Sequence, residues 1–246
     1  MISLLAIDPV LKGDLLWAPL LIVVLKVLAV FVTGLVATML MVWFERKVVA
    51  GMGNRIGPNK AGPFGLLQTL ADGIKLFFKE DLVPDRADPF VFKIAPFLSF
   101  VPAFLSFSII PLGGDFRGDN GGLVTWFGHT TRVQLADPSI GVLFTLAISA
   151  IAVYGIMLAG WSSGSKYPLL GSVRASAQMV SYEAALGLSL AAVILVSKTL
   201  STSGIVIAQS SIGNWNVIAT GIVPFIIFFI AATAELNRPP FDLVEA

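Results

Sequence analysis

The sequence predicts an all-α integral membrane protein with about five transmembrane helices and an amphipathic helix at the membrane interface. Three observations predict this class. Hydrophobic residues make up 56% of the chain and charged residues 13%, whereas soluble domains carry roughly 25% charge. Apolar runs of about 20 residues, the length that crosses a hydrocarbon core of about 30 Å, recur along the chain. The charged residues instead concentrate in one polar segment, Glu45–Glu80.

Five apolar segments are the predicted spans: Ala18–Phe44, Ile94–Leu112, Ser139–Ala159, Ala177–Ser197 and Trp215–Ala234. The first would be about 40 Å long at about 1.5 Å per residue, so we expect it to tilt or protrude. It contains Lys26, which we expect to extend its ammonium group toward the nearer surface. A role for Lys26 in a transport pathway is the alternative. The second span contains Pro96, Pro102 and Pro111, which predict a kink or irregular helix ends.

Basic residues predict the orientation of the spans. Eight lie between the first and second spans, two between the third and fourth, and one after the fifth, against four on the opposite side. The positive-inside rule therefore places Glu45–Glu80 on the cytoplasmic side and the N-terminus outside. We expect a single membrane domain over 1–246, with a cytoplasmic loop over 45–93 and the start of an acidic loop over 235–246.

Composition excludes several kinds of site. The chain has no cysteine and one histidine, so it cannot form a disulfide, a thiolate nucleophile or a Cys-ligated metal site, and we predict no metal centre. The connection over 113–138 is rich in glycine, aspartate and asparagine, and we expect an exposed loop that carries His129 as an ordinary surface residue. A net charge of +1 gives no reason to expect a nucleic-acid partner.

The loop over 45–93 combines stiff turns with an amphipathic pattern. Its glycines have the spacing G-x-G-x-x-x-G and follow no strand, so a dinucleotide site is excluded. Gly57–Pro58 and Gly62–Pro63 indicate tight turns instead. From 64 to 79 apolar residues recur on one helical face, which predicts an interfacial helix. Asp72 and Lys75, near Arg55, could form a polar pocket beside it; a plain surface helix is the alternative.

Carboxylates inside or beside the apolar spans are the second candidate site. Glu183 lies about two turns inside the fourth span, where an unpaired charge costs about 2.5–3.5 kcal/mol on insertion scales. We therefore expect it to face the bundle interior, as a proton relay or as a structurally satisfied carboxylate. Glu235, Asp242 and Glu245 follow the fifth span. The chain ends at Ala246 inside this acidic run, so we expect it to be C-terminally incomplete.

Four segments together resemble the quinone-contacting membrane component of respiratory complex I, which is the H-type subunit in bacteria and subunit 1 in mitochondria. They are Glu45–Lys47 (ERK), Gly53–Glu80 (GNRIGPNKAGPFGLLQTLADGIKLFFKE), Arg174–Glu183 (RASAQMVSYE) and Ala234–Ala246 (AELNRPPFDLVEA). The similarity runs from about Trp43 to the last residue. That family has eight spans, so this chain would cover about the first five.

The resemblance implies a subunit of NADH:quinone oxidoreductase that has no redox cofactor of its own. Quinone, either ubiquinone or menaquinone, would be the substrate, while FMN and iron–sulfur clusters would lie on partner subunits. The partners would be peripheral-arm subunits, small and antiporter-like membrane subunits, and the lipid bilayer. The location would be a bacterial plasma membrane or, alternatively, the mitochondrial inner membrane.

The resemblance also assigns roles to individual residues. The implied quinone-chamber residues are Glu45, Arg46, Arg55, Asp72 and Lys75. The implied proton path consists of Glu183, Glu235, Asp242 and Glu245. Their implied charge partners are Arg174 and Arg238.

Three other functions remain open from the sequence. A membrane-bound hydrogenase or related dehydrogenase would share the fold and much of the acidic loop. A free-standing proton or ion transporter would suit Glu183 and the kinked spans, although no inverted repeat is present. A purely structural anchor would not explain carboxylates within the bilayer.

Overall fold

The computed structural model describes residues 5–6, 8–12, 17–116, 121–238 and 240–241. Asp242 and Glu245 therefore lie outside the described residues. The described chain is mostly helical with two small two-stranded sheets, which confirms the predicted all-α class. It forms two compact units, one made of Met1–Val27 with Val83–Ala246 and the other of Leu28–Leu82.

Eight α-helices are present in the described chain: α1 Trp17–Met52, α2 Gln68–Phe77, α3 Pro89–Phe107, α4 Gly141–Ser162, α5 Lys166–Ser197, α6 Thr202–Ala208, α7 Asn216–Ala219 and α8 Ile222–Glu235. Four of them, α1, α3, α4 and α5, are long and apolar enough to cross a membrane. The fifth predicted span is divided at Gly221, which has φ 77°. The remaining apolar helix, α8, has 14 residues, or about 21 Å.

Helices α3, α4, α5 and α8 pack on one another in that order through small residues. A Cβ atom on Gly155 of α4 would lie 2.7 Å from the carbonyl oxygen of Ala95 in α3. A Cβ atom on Gly160 of α4 would lie 2.6 Å from the carbonyl oxygen of Pro168 in α5. The Ser99 hydroxyl of α3 also donates to the carbonyl of Ala152 at 3.2 Å. Close backbone approach through small residues is typical of helix contacts in membranes.

Local sequence signals set the start of α3. The Asp88 carboxylate caps the helix by accepting from the amides of Phe90 and Val91, and Pro89 occupies the first turn, where its missing N–H is harmless. The Asp88 amide donates to the carbonyl of Ser162 at 2.9 Å, which joins the start of α3 to the end of α4.

The predicted exposed loop over 113–138 is instead largely built into the fold, so that expectation was wrong. Strands β2 Leu123–Trp126 and β3 His129–Arg132 form an antiparallel hairpin. Phe127 and Gly128 at its turn both have positive φ, as a two-residue type I′ turn requires. Strand β1 Leu5–Ala6 pairs with β4 Asp137–Pro138. Thr131 of this hairpin is fully buried, and its hydroxyl is hydrogen-bonded to Lys26 and Asp8.

Lys26 does not extend to the surface, contrary to expectation. Its side chain is 5% exposed and donates to the carboxylate of Asp8 and, at 3.1 Å, to the Thr131 hydroxyl. Asp8 also accepts from the Thr131 hydroxyl at 3.0 Å. Burial raises the pKa of Asp8, but the hydrogen bonds from Lys26, the Val10 amide and Thr131, together with the charge of Lys26, outweigh it and hold that pKa below its usual value. A buried partner therefore replaces water around this ammonium group.

The second unit contains the latter part of α1, a compact loop and α2. The Trp43 indole donates to the carbonyl of Phe64 at 3.0 Å, and Lys47 donates to the carbonyl of Ile56 at 3.2 Å. Gly65, with φ 77°, lies so close to Pro58 that no side chain would fit. The interfacial helix predicted over 64–79 is shorter because Pro63–Gly65 forms a 3-10 turn with Phe64 in the left-handed region.

Candidate functional site

The first group of predicted site residues meets where the end of α1 faces α2 in the second unit. A guanidinium nitrogen of Arg46 lies 2.6 Å from one carboxylate oxygen of Asp72. The amide of Gln68, one turn earlier on α2, donates to the other carboxylate oxygen at 3.0 Å. The hydrogen bonds from Arg46 and then Gln68, together with the charge of Lys75, lower the pKa of Asp72. Asp72 is therefore an anion at neutral pH with both oxygens engaged.

Helix α2 separates this polar cluster from an apolar face. Gln68, Asp72 and Lys75 are spaced i, i+4 and i+7, so they share one side of the helix. The opposite side carries large apolar side chains that are about half exposed or more within the described chain: Leu67, Leu70, Ile74 and Phe77. A charged cluster and an uncovered apolar face on one short helix fit a ligand that has an apolar tail and a polar head.

Two other residues predicted for this site belong to the same unit as the cluster. The guanidinium group of Arg55 lies along Gly53, where an added Cβ would meet its Nε atom at 3.4 Å. The Arg55 amide donates to the carbonyl of Ala50 at 2.8 Å and so closes the end of α1. Glu45 precedes Arg46 and is partly buried.

The second group of predicted residues lies in the other unit, between α4, α5 and α8. Glu183 of α5 and Glu235 at the end of α8 interact electrostatically, and the Glu235 carboxyl is hydrogen-bonded to the hydroxyl of Ser149 in α4. Both glutamates are partly buried. The structure thus brings together two acids that are 52 positions apart in the sequence.

Each of these glutamates lines a cavity. Glu235 borders a cavity of about 460 Å³ whose polar lining includes the hydroxyls of Ser99, Ser106 and Ser149. Glu183 borders a cavity of about 470 Å³ between α4 and α5. Ser176 also lines the second cavity, and its buried hydroxyl has no hydrogen-bond partner among the described residues. Spaces of this size with hydroxyl linings can hold several water molecules.

Gln178 lies on the approach to Glu183 in the sequence, but its contacts could not be predicted from it. Its buried amide nitrogen donates to the carbonyls of Ala234 and Phe241, at 3.0 and 2.9 Å, and to the side-chain oxygen of Asn237 at 3.3 Å. The rings of Tyr182 and Phe241 meet edge to face at 5.3 Å. These contacts hold the segment after α8 against α5.

The remaining predicted residues are less constrained by the described geometry. Arg174 is exposed on α5, and Arg238 is exposed just after α8. Ser149, which contacts Glu235, was missed because a serine in an apolar helix gives no signal of its own. Its position in α4, across from the end of α8, becomes visible only in the folded chain.

Comparison with known proteins identifies the family. The family model described as NADH dehydrogenase matches residues 25–246. The H-type subunit of NADH-quinone oxidoreductase from Frankia alni is 50% identical over 244 residues, which is 98% of this chain and 51% of that protein. Its counterpart from Frankia casuarinae is 50% identical over 229 residues, 93% of this chain and 48% of that protein. The chain spans about half the length of these relatives. With nine-tenths of its residues matched, the chain belongs to the NADH dehydrogenase family.

Proposed function

We propose that this chain forms the quinone-chamber part of the H-type membrane subunit of a proton-translocating NADH:quinone oxidoreductase. The Arg46–Asp72 ion pair on one side of α2 and the uncovered apolar face on the other support this proposal most directly. The names of the two Frankia relatives support the enzyme class. A membrane-bound hydrogenase or related dehydrogenase has no comparable support.

In this proposal the quinone enters from the lipid along the apolar face of α2. The isoprenoid tail contacts Leu70 and Ile74, while the head group approaches the charged cluster. The head group, once reduced, takes up two protons. A fixed anion held by Arg46 provides a stable electrostatic environment for that change, because Asp72 does not itself become protonated near neutral pH. Glu45, Arg55 and Lys75 complete the polar boundary of the chamber.

The two partly buried glutamates, Glu183 and Glu235, form the start of the proton path. Carboxylates that interact in a low-dielectric setting bind protons as a coupled pair. The Ser149 hydroxyl, which donates to the carbonyl of Leu146 at 2.9 Å, has one proton and two acceptors within reach. The Ser149 hydroxyl can accept a hydrogen bond from the Glu235 carboxyl when that acid is protonated. It can rotate and donate to the Glu235 carboxylate when that acid is ionised. Glu235 and Glu183 would thereby exchange protons with water in their cavities.

The path continues, in this proposal, through Asp242 and Glu245, with Arg174 and Arg238 as charge partners. Quinone, as ubiquinone or menaquinone, is the substrate. Peripheral-arm subunits carry FMN and the iron–sulfur clusters, and small and antiporter-like subunits adjoin the chain in the membrane. The chain lies in a bacterial plasma membrane with 45–93 in the cytoplasm and the N-terminus outside.

An Asp72→Asn variant of the assembled complex tests the chamber. We expect NADH:quinone activity to fall at least tenfold, because Arg46 loses its ionic partner, while NADH oxidation by a water-soluble artificial acceptor continues at the normal rate. Asp81→Asn, at an exposed position nearby, is the matched control. Normal quinone reduction by the Asp72→Asn complex would refute the proposed chamber.

A further inference from the structure

A separate cavity of about 240 Å³ lies between α5, α6, α7 and α8. Its apolar walls come from α5 and α8 and include Leu190, Val193, Phe225 and Phe228. Asn216 forms its polar end. This cavity contains none of the acids or chamber residues described above.

Nearly every polar group that lines this cavity has a partner of its own. The Ser189 hydroxyl donates to the carbonyl of Leu186 at 2.7 Å, and the Thr220 hydroxyl donates to the carbonyl of Asn216 at 2.6 Å. The Gln209 side-chain oxygen accepts a hydrogen bond from the backbone amide of Asn216 at 3.1 Å. Within the described ranges, the exception is the Nδ2 group of Asn216, a residue 6% exposed, which has no acceptor.

Apart from Ser189, whose hydroxyl is bonded within its own helix, the polar side chains that line the cavity come from residues at or near helix ends: Gln209, Asn216 and Thr220. Asn216 accepts a hydrogen bond from Ser197, the last residue of α5, at 3.3 Å. Leu190 lies seven residues earlier, about 10 Å deeper along the helix. The single free donor therefore lies near the level where α5 ends, and the apolar walls lie below it.

We propose that this cavity binds one acyl chain of a phospholipid, whose ester carbonyl accepts a hydrogen bond from Asn216. A phospholipid has this order of groups, with its ester carbonyl near the membrane surface and its hydrocarbon chain beneath. The volume is below the roughly 300–1,000 Å³ of pockets for drug-sized ligands, so it accommodates part of one acyl chain.

Water is a poorer occupant of the same space. A buried water molecule needs two to four polar partners, and among the described residues the side chains that line the cavity offer one unpaired buried donor. The flanking apolar residues Val217 and Phe225 are 39% and 50% exposed, which leaves an entrance lined by apolar side chains. A lipid chain can enter there without removing any polar group from water.

Photo-crosslinking of the assembled complex tests the proposal. The complex is reconstituted in vesicles of phosphatidylcholine that carries a diazirine on one acyl chain, then illuminated and digested. We expect labelled peptides from α5 around Val193 and from α8 around Phe225. A Val193→Trp variant, which fills the cavity, should lower that labelling at least tenfold. Leu188→Trp, at a 75% exposed position of the same helix, should leave it unchanged.

Asn216→Leu provides a second test that keeps the cavity walls apolar. Loss of one net hydrogen bond should weaken competition by unlabelled phospholipid about fivefold, whereas Asn214→Leu, at an exposed position two residues earlier, should have no effect. Three results would each overturn the proposal. The labelling could be the same in Val193→Trp as in the unchanged complex, or a diazirine quinone could label these peptides while phosphatidylcholine does not. The peptides could also cross-link to another protein segment. Quinone reduction plays no part in either readout.

Discussion

Lys26 of α1 and Asp8 form an ion pair in which both side chains are more than nine-tenths buried. Thr131 of the β2–β3 hairpin bridges the pair, since its hydroxyl accepts from Lys26 and donates to Asp8. Three segments far apart in sequence thus satisfy one another's polar groups inside the first unit. None of them could be buried at this point without the other two.

Removal of one member of the Lys26–Asp8 pair should therefore destabilise the protein more than removal of both. Lys26→Met leaves a buried carboxylate unpaired and should destabilise the protein by about 3–5 kcal/mol. A Lys26→Met/Asp8→Leu double variant should recover most of that loss. Thermal unfolding of the purified complex measures both. Lys198→Met, at an exposed position, is the control, and equal stability of Lys26→Met and this control would contradict the buried-pair account.

The docking of α2 should depend on pH through Asp72. The pKa of Asp72 is lower in the folded chain than its ordinary value near 3.9, so the stabilisation is complete above about pH 4 and is lost as the pH falls through the lowered value. Hydrogen exchange of the amides over 68–77 should accelerate, beyond its intrinsic pH dependence, only in that acidic range. The extra acceleration should be absent in Asp72→Asn. Its persistence in that variant would show that another group is responsible.

Glu183 provides the sharpest test of the proton path. Glu183→Gln keeps the shape of the side chain but cannot release a proton, so we expect quinone-linked proton pumping to be lost or uncoupled. NADH oxidation by artificial acceptors should remain intact. Glu80→Gln, at an exposed position, should pump normally. Normal pumping stoichiometry in the Glu183→Gln complex would exclude the relay role.

The close contact between α4 and α5 should be sensitive to a single methyl group. Gly160→Ala places a Cβ against Ser172 and 2.6 Å from the carbonyl of Pro168, so we expect a loss of about 1–3 kcal/mol from overpacking. Gly171→Ala is the matched control, because nothing lies within 4 Å of a Cβ at that position. Thermal stability of the complex should fall in the first variant only.

Sequence patterns predicted the features that are local in the chain. The length and hydropathy of α4 and α5, the amphipathic face of α2 and the unusual placement of Glu183 can all be recognised from neighbouring residues. The partners could not be predicted in the same way. Asp8 and Thr131 are polar residues in segments of loop-like composition, and only the fold shows that they enclose Lys26. The Ser149–Glu235 contact joins residues that no spacing rule connects.

The same limit explains why the hairpin and the break in the fifth span were not predicted. Glycine and aspartate in 113–138 indicated a loop, but the positive φ values of Phe127 and Gly128 allow a tight hairpin within it. Gly221 interrupts an otherwise continuous apolar run, and hydropathy alone does not distinguish such a break from a continuous span.

The glycines of α4 have a mechanical consequence. Gly155 and Gly160 bring the α4 backbone against α3 on one side and α5 on the other, with the small side chains of Ser99 and Ser172 at the two contacts. A shift of α4 by one turn along its axis would place larger residues at both contacts. We therefore expect α4 to keep a fixed position relative to α3 and α5. We therefore expect α3, α4 and α5 to move as one body if this bundle moves.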